Sequence, residues 1–239
     1  MTYKTKRIKA ILFDFGGTLD CDGVDWFSRI YKLLCNEVGH IEVAPFRKLA
    51  MAAADAIEHI SGTETLLLHG TVKRILEQLH IRMCEAGLQD KTNWTAVKIA
   101  KQFTDDCDIY LKRNLPILAQ LSKKYRLACI SNNWGNTEGW CKYYGYDQYF
   151  EIMVDSALEQ SSKPDRKIFE VALERMCLSG DQCIYVGDRF DFDVIGSMNL
   201  NYTPVWITSG DYYGETDDHV RPITINTLSQ LLEIELLSF

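Results

Sequence analysis

The chain has 239 residues, enough for one large domain or a domain with an insertion, and a core of that size needs no disulfide or metal staple. Apolar residues make up 46% and charged residues 25%, with five prolines, which excludes a disordered, collagen-like or low-complexity chain. A formal charge of −7 argues against nucleic acid or an anionic membrane as partner, so an anionic substrate would need a local cation.

Eight cysteines are scattered without a CxxC or paired zinc spacing, which fits idle thiols in a reducing compartment rather than a disulfide framework. The basic start MTYKTKRIKA is followed by an apolar run that Asp14 ends at once, so no signal-peptide core is read. No stretch of eighteen apolar residues is present, and the expected location is the cytoplasm. The five histidines form no HExxH pattern.

Taken in chain order, residues 8–13 are a continuous apolar run and predict a buried strand. Residues 22–108 then carry helical periodicity and no convincing strand. Trp26, Phe27, Ile30, Tyr31, Leu34 and Val38 form one apolar stripe; Pro45 suits a first helical position; Leu76, Leu79 and Met83 mark a third helix; Thr92 or Asn93 would cap a fourth. Hinges are expected at residues 19–23 and 104–114. Beyond them, predicted strands at 126–130, 151–154, 183–186 and 204–207 alternate with predicted helices at 115–123, 136–144, 165–176 and 192–200. A closing helix is expected at 228–237, capped by Asn226 or Thr227. Alternation of this kind predicts an α/β fold with a doubly wound parallel sheet, interrupted after its first strand by an all-helical insertion.

In such a sheet the carboxyl ends of the strands share one edge, where ligands bind. The first run ends in Asp14 within ILFDFGGTLD, the second in Ser131 within ACISNN, and a later one in Gly187 and Asp188 within IYVGDRFDFD; SSKPDRKIF places Lys163 just before a helix. Together they supply carboxylates, a hydroxyl and an ammonium, a set suited to a hard cation such as Mg²⁺ and a phosphate. Asp14 could instead cap the turn after its strand, Ser131 could cap the following helix, and Lys163 could be a solvated residue at a helix entry.

These four segments, in this order, resemble the four motifs of the haloacid dehalogenase superfamily, and the resemblance runs from Ile11 to Asp193. It implies a Rossmann-like core of residues 1–21 and 109–239, a helical cap of residues 22–108, and Mg²⁺-dependent hydrolysis of a small phosphorylated metabolite. By that resemblance Asp14 is the nucleophile that forms an aspartyl phosphate. Ser131 and Lys163 hold the phosphate, with Gly17 and Asn132 as further substrate contacts. Asp14, Asp188, the Gly16 carbonyl and Asp193 form the metal set, Asp193 acting through water or by orienting Lys163. One position departs from the pattern: two residues after the nucleophile these phosphatases usually carry an acid/base Asp, and here it is Gly16. Such a group contributes roughly 10² to 10⁴ in rate. A substrate with a good leaving group could dispense with it, Asp20, Asp22 or a cap residue could replace it, or the chain could be a weak or inactive phosphate- and metal-binding protein. Metal-free dehalogenation is a third alternative. Trp134, just beyond Ser131, reads first as interdomain packing.

Overall fold

The computed structural model describes residues 7–88, 95–210 and 216–234. Six parallel strands form one sheet in the order β3-β2-β1-β4-β5-β6. They are β1 (Ala10–Phe13), β2 (Arg126–Ser131), β3 (Phe150–Asp155), β4 (Cys183–Gly187), β5 (Thr203–Ile207) and β6 (Ile223–Ile225). The first five match the predicted runs to within two residues; β6 is a three-residue edge strand too short to announce itself. The chain winds outward from β1 in both directions, so the switch point lies at β1, flanked by β2 and β4.

Alternation along β1 divides the core. Ile11 and Phe13 face one layer with Cys129, Ile184 and Val186; Ala10 and Leu12 face the other, covered by Ile168, Phe169, Ala172 and Met176 of α7 (Arg166–Met176). The remaining helices of this part are α5 (Thr137–Tyr144), α6 (Ser156–Glu159) and α8 (Gly196–Met198). The helix expected at 192–200 is a π-helical turn, Phe190–Ile195, running into α8. The closing helix is a 3₁₀ segment, Leu228–Glu233, with Thr227 as N-cap in a reciprocal bond pattern with Gln230; residues 235–237 of that expectation lie outside the described residues.

Between β1 and β2 the described segments hold α1 (Trp26–Val38), α2 (Val43–Glu58), α3 (Leu68–Glu85) and α4 (Ala96–Leu121), with a short 3₁₀ turn at Thr63–Thr65. Pro45 is the third residue of α2, not the first, where its missing N–H is still harmless because the first four helical N–H groups have no internal acceptor. Thr92 and Asn93 lie outside the described residues, and Thr95 caps α4, its side chain accepting from the Lys98 N–H.

The expected hinge at 104–114 and the separate helix at 115–123 are both overturned: α4 is one 26-residue helix through that segment. Ile99, Phe103, Cys107, Leu111, Leu118 and Leu121 form an unbroken buried stripe that the intervening acids conceal in the sequence. Pro116 sits inside this helix, where it removes one N–H. The segment at 19–23 is bound to α4 through Asn114 Nδ2 donating to the Leu19 carbonyl at 2.9 Å and through the Arg113–Asp22 ion pair. Among the described residues no helix is long and apolar enough to cross a membrane.

Candidate active site

β1 and β4 continue their ladder one step past the strand, with Asp14 N–H donating to the Val186 carbonyl at 2.8 Å, and this fixes Asp14 at the sheet edge. Lys163, on the loop before α7, reaches it with Nζ 2.6 Å from Asp14 Oδ1. The same ammonium lies 2.8 Å from Asp193 Oδ1 and 3.2 Å from the Tyr185 hydroxyl, which uses all three of its protons. The Tyr185 hydroxyl donates in turn to the Ile130 carbonyl at 3.1 Å. Asp193 accepts from Arg189 N–H at 2.9 Å through its other oxygen, so its direct contacts orient Lys163 and the loop after β4. Gly187 is required there, because a Cβ on it would lie 2.3 Å from the Asp193 carboxyl carbon.

Asp188 is the third buried carboxylate. Oxygens of Asp14, Asp188 and Asp193 lie within 4.8 Å of one another, a spacing a single cation can bridge. Gly17 makes room for this cluster: its φ of +80° suits glycine, and a Cβ would fall 2.4 Å from Asp188 Oδ2. The Gly17 N–H is spent on Asp20 Oδ1 at 2.6 Å, which leaves Gly16 as the residue of this pair that borders the cavity.

Burial pushes the Asp188 carboxyl well above its ordinary range, and the charges of Asp14, Asp193 and Asp25 push the same way. Asp193 is raised to about 6, by burial against the pull of Lys163. Burial works against the Lys163 ammonium, but Asp14 and Asp193 more than offset it and its pKa is raised. Three buried acids thus face one ammonium, an excess of negative charge that a divalent cation would neutralise. The donor set, all oxygen, fits Mg²⁺.

Ser131 ends β2, is 2% exposed, and lines a cavity of about 360 Å³ with Asp14, Gly16, Asn132, Lys163 and Asp188. Asn132 borders the cavity too, but its amide bridges the Lys163 backbone, donating to the carbonyl at 3.0 Å and accepting from the N–H at 2.8 Å. It holds the lysine loop in place. The opposite wall comes from α1 and α2: Asp25, Trp26, Phe27, Arg47, Met51, Ala54 and Asp55. Trp134 spans the two halves, its indole donating to the Ala54 carbonyl at 3.0 Å, in keeping with the packing role.

Sequence reasoning missed Tyr185 and Asp155, and read Trp26 first as core of the helical insertion. Asp155, opposite Ser131 in the β2–β3 register, accepts from Gly135 N–H, Thr137 N–H, the Thr137 hydroxyl and Ala157 N–H, and so shapes the loop after Ser131. An acid ending a strand was the available signal. Of the two acids considered as replacements at position 16, Asp22 is paired with Arg113 and Asp20 is fully buried.

A family model for haloacid dehalogenase-like hydrolases matches residues 8–197. The chain belongs to this family. Among curated relatives, glyceraldehyde 3-phosphate phosphatase of Methanocaldococcus jannaschii is 33% identical over 90 residues, which cover 38% of this chain and 40% of that protein. The enzyme of the same name from Methanothermobacter thermautotrophicus is 35% identical over 121 residues, covering 47% and 52%. The chain spans about half the length of these relatives or less. The HAD-hydrolase YfnB from Bacillus subtilis, crystallised with magnesium, shares the fold, with a TM-score of 0.56 at 14% identity over 95% of this chain and 98% of that one.

Proposed function

We propose that the chain is a Mg²⁺-dependent phosphatase acting on a small phosphorylated metabolite through an aspartyl phosphate on Asp14. The observation that carries this reading is Lys163 Nζ, 2.6 Å from Asp14 and 2.8 Å from Asp193, beside a third buried carboxylate. A carboxylate attacking an anionic phosphoryl group is opposed by like charge, and fixed cations at the point of attack offset this. Lys163 holds one charge there and keeps the Asp14 carboxylate in a single orientation. Ser131, at the cavity wall, would donate to a phosphate oxygen. Asp14 and Asp188, with the Gly16 carbonyl, would hold Mg²⁺, which when bound supplies the further positive charge. Asp193 acts through Lys163. Among the described residues, those within 22–108 would form a cap over this site and those within 1–21 and 109–239 the core, the boundary at 108 falling inside the continuous helix α4. The eight free cysteines suit a reducing cytoplasm.

The test is orthophosphate release from a panel of phosphorylated compounds, with glyceraldehyde 3-phosphate included on the strength of the relatives, in Mg²⁺ and in chelator. Release that requires Mg²⁺ and vanishes in Asp14→Asn supports the reading. Release from Asp14→Asn at the parent rate would sink it. A second reading, a binding protein that keeps the pocket without turnover, is favoured by Gly16 alone and predicts Mg²⁺ and phosphate binding with no release. Metal-free dehalogenation is disfavoured by the buried acid cluster.

A further inference from the structure

Gly16 borders the cavity two residues from Asp14, and its backbone is outside the left-handed region that would demand glycine. What crowds a side chain there is Trp26, which would have to give by a few tenths of an ångström to admit one. A Cβ on Gly16 would lie 3.0 Å from Trp26 Nε1, 3.4 Å from Cδ1 and 3.5 Å from Cε2. The indole is held in that position: Nε1 donates to Asp20 Oδ2 at 2.7 Å, and the ring stacks on Trp140 and packs T-shaped with Phe103, with centroids 5.8 and 5.2 Å apart. Asp20 is itself anchored by the Gly17 N–H and by Arg29.

The rest of the cavity offers little proton-donating chemistry. Among the described residues lining it, the carboxylic acids are Asp14, Asp25, Asp55 and Asp188, with no histidine, cysteine or tyrosine. Asp14 and Asp188 belong to the buried cluster. Asp25 caps α1 and accepts from Phe27 N–H, Ser28 N–H, the Ser28 hydroxyl and Arg47. Asp55 is exposed on α2, where it also borders a neighbouring groove with Glu58, Gln160 and Ser162. Lys163 has committed its protons.

We infer that Trp26 is the residue that sets the leaving group: its indole fills the space beside the nucleophile where a proton donor would stand, so the site serves phosphoryl donors whose leaving group departs as a stable anion, acyl phosphates above all. The inference rests on the phosphatase reading. In the step it implies, an Asp14 oxygen bonds to phosphorus while the bond from phosphorus to the acyl oxygen breaks with its electron pair. A carboxylate leaves and no proton moves. Water then cleaves the aspartyl phosphate to Asp14 and orthophosphate. With an alkyl ester the same departure would release an alkoxide, a far stronger base that needs protonation as it leaves.

The experiment measures kcat/KM for orthophosphate release by the full chain in Mg²⁺, with acetyl phosphate, aryl phosphates of graded leaving-group acidity, and glyceraldehyde 3-phosphate as the alkyl case. Asp14→Asn supplies the background. The expected result is a fall of at least ~10³ from the acyl to the alkyl donor, in line with the rate such acid groups contribute. A flat dependence overturns the inference while leaving the phosphatase reading intact, and points to Asp55 as proton source. No release from any donor overturns both. Gly16→Asp alone should keep the steep dependence, because the indole denies the new carboxyl its place, whereas Gly16→Asp with Trp26→Leu should flatten it. Flattening by Gly16→Asp alone would remove Trp26 from the argument. Circular dichroism checks the fold of each variant, and the series on the unaltered chain decides the matter by itself if the double variant fails to fold.

Discussion

Lys163 is the residue on which the acids of two separate loops depend. Its side chain is 3% exposed and its ammonium bridges Asp14 and Asp193, so Lys163→Ala leaves two buried carboxylates without their cationic partner. Breaking a buried pair from one side costs about 3 to 5 kcal/mol. We expect Lys163→Ala to fold with a distinctly lower melting temperature and to lose phosphate release by on the order of 10² or more, as when one preorganised electrostatic contact is removed. Added Mg²⁺ should recover part of the lost stability in a thermal melt, since it neutralises the same acids. An unchanged melting temperature would mean that the ion pair does not form. Tyr185 gives a finer test: Tyr185→Phe keeps the ring but removes both the acceptor for Lys163 and the donor to Ile130. Its expected cost is about 1 kcal/mol of stability, with a larger effect on kcat than on KM, read from steady-state kinetics.

The strands were legible in the sequence because buried parallel strands read as short apolar runs, and the residue ending each run marked the sheet edge. Asp14, Ser131 and Asp188 could therefore be found one at a time, and the structure brings them round one cavity. Long-range contacts were not legible. Nothing in local pattern ties Trp26 to Gly16, or Tyr185 to Lys163, and the acids at 105, 106 and 108 made a continuous α4 look like a break. Asp155 shows what the elements themselves demand. Its buried carboxylate gathers two backbone N–H groups and a hydroxyl of the loop after β2, together with the N–H of Ala157 in the first turn of α6. Asp155→Ala would strand these donors at an average of about 1 kcal/mol each, so about 3 to 4 kcal/mol in all. Urea unfolding should report that loss, and the loop bearing Asn132 and Trp134 should gain amide hydrogen exchange. A loss below 1 kcal/mol would show that water satisfies the same groups.

At the scale of the whole molecule, the net charge of −7 sits oddly with a phosphate site until the distribution is considered: the acids of the cluster are buried around Lys163, and the site's attraction is local. Burial has a second molecule-wide effect through the thiols. Burial raises Cys21 to about 11 and Cys183 to about 12, against 9 for an unfolded cysteine. An acid whose folded pKa is raised stays protonated in the native state while the unfolded chain has already released its proton. The native state then holds more protons than the unfolded one, and stability falls as pH rises through the window from about 9 upward. Below that window both states are protonated and the thiols contribute no pH dependence. Each thiol should remove about 1.3 kcal/mol between pH 8 and pH 10, since one unit of difference is worth 1.36 kcal/mol. Under reducing conditions, unfolding free energies from urea titrations should therefore drop over this range by about 2 to 3 kcal/mol more for the parent chain than for Cys21→Ala/Cys183→Ala. The raised tyrosines Tyr144 and Tyr146 act alike in both proteins and cancel in the comparison, whereas Tyr202, raised by burial and in part by Cys183, is slightly less raised in the variant and adds to the difference. Parallel losses in the two proteins would mean that water reaches one or both thiols in the native state. Native-state alkylation with mass detection would then show modification at Cys21 or Cys183, where only the exposed Cys84 and Cys177 and the half-buried Cys35 are expected to react.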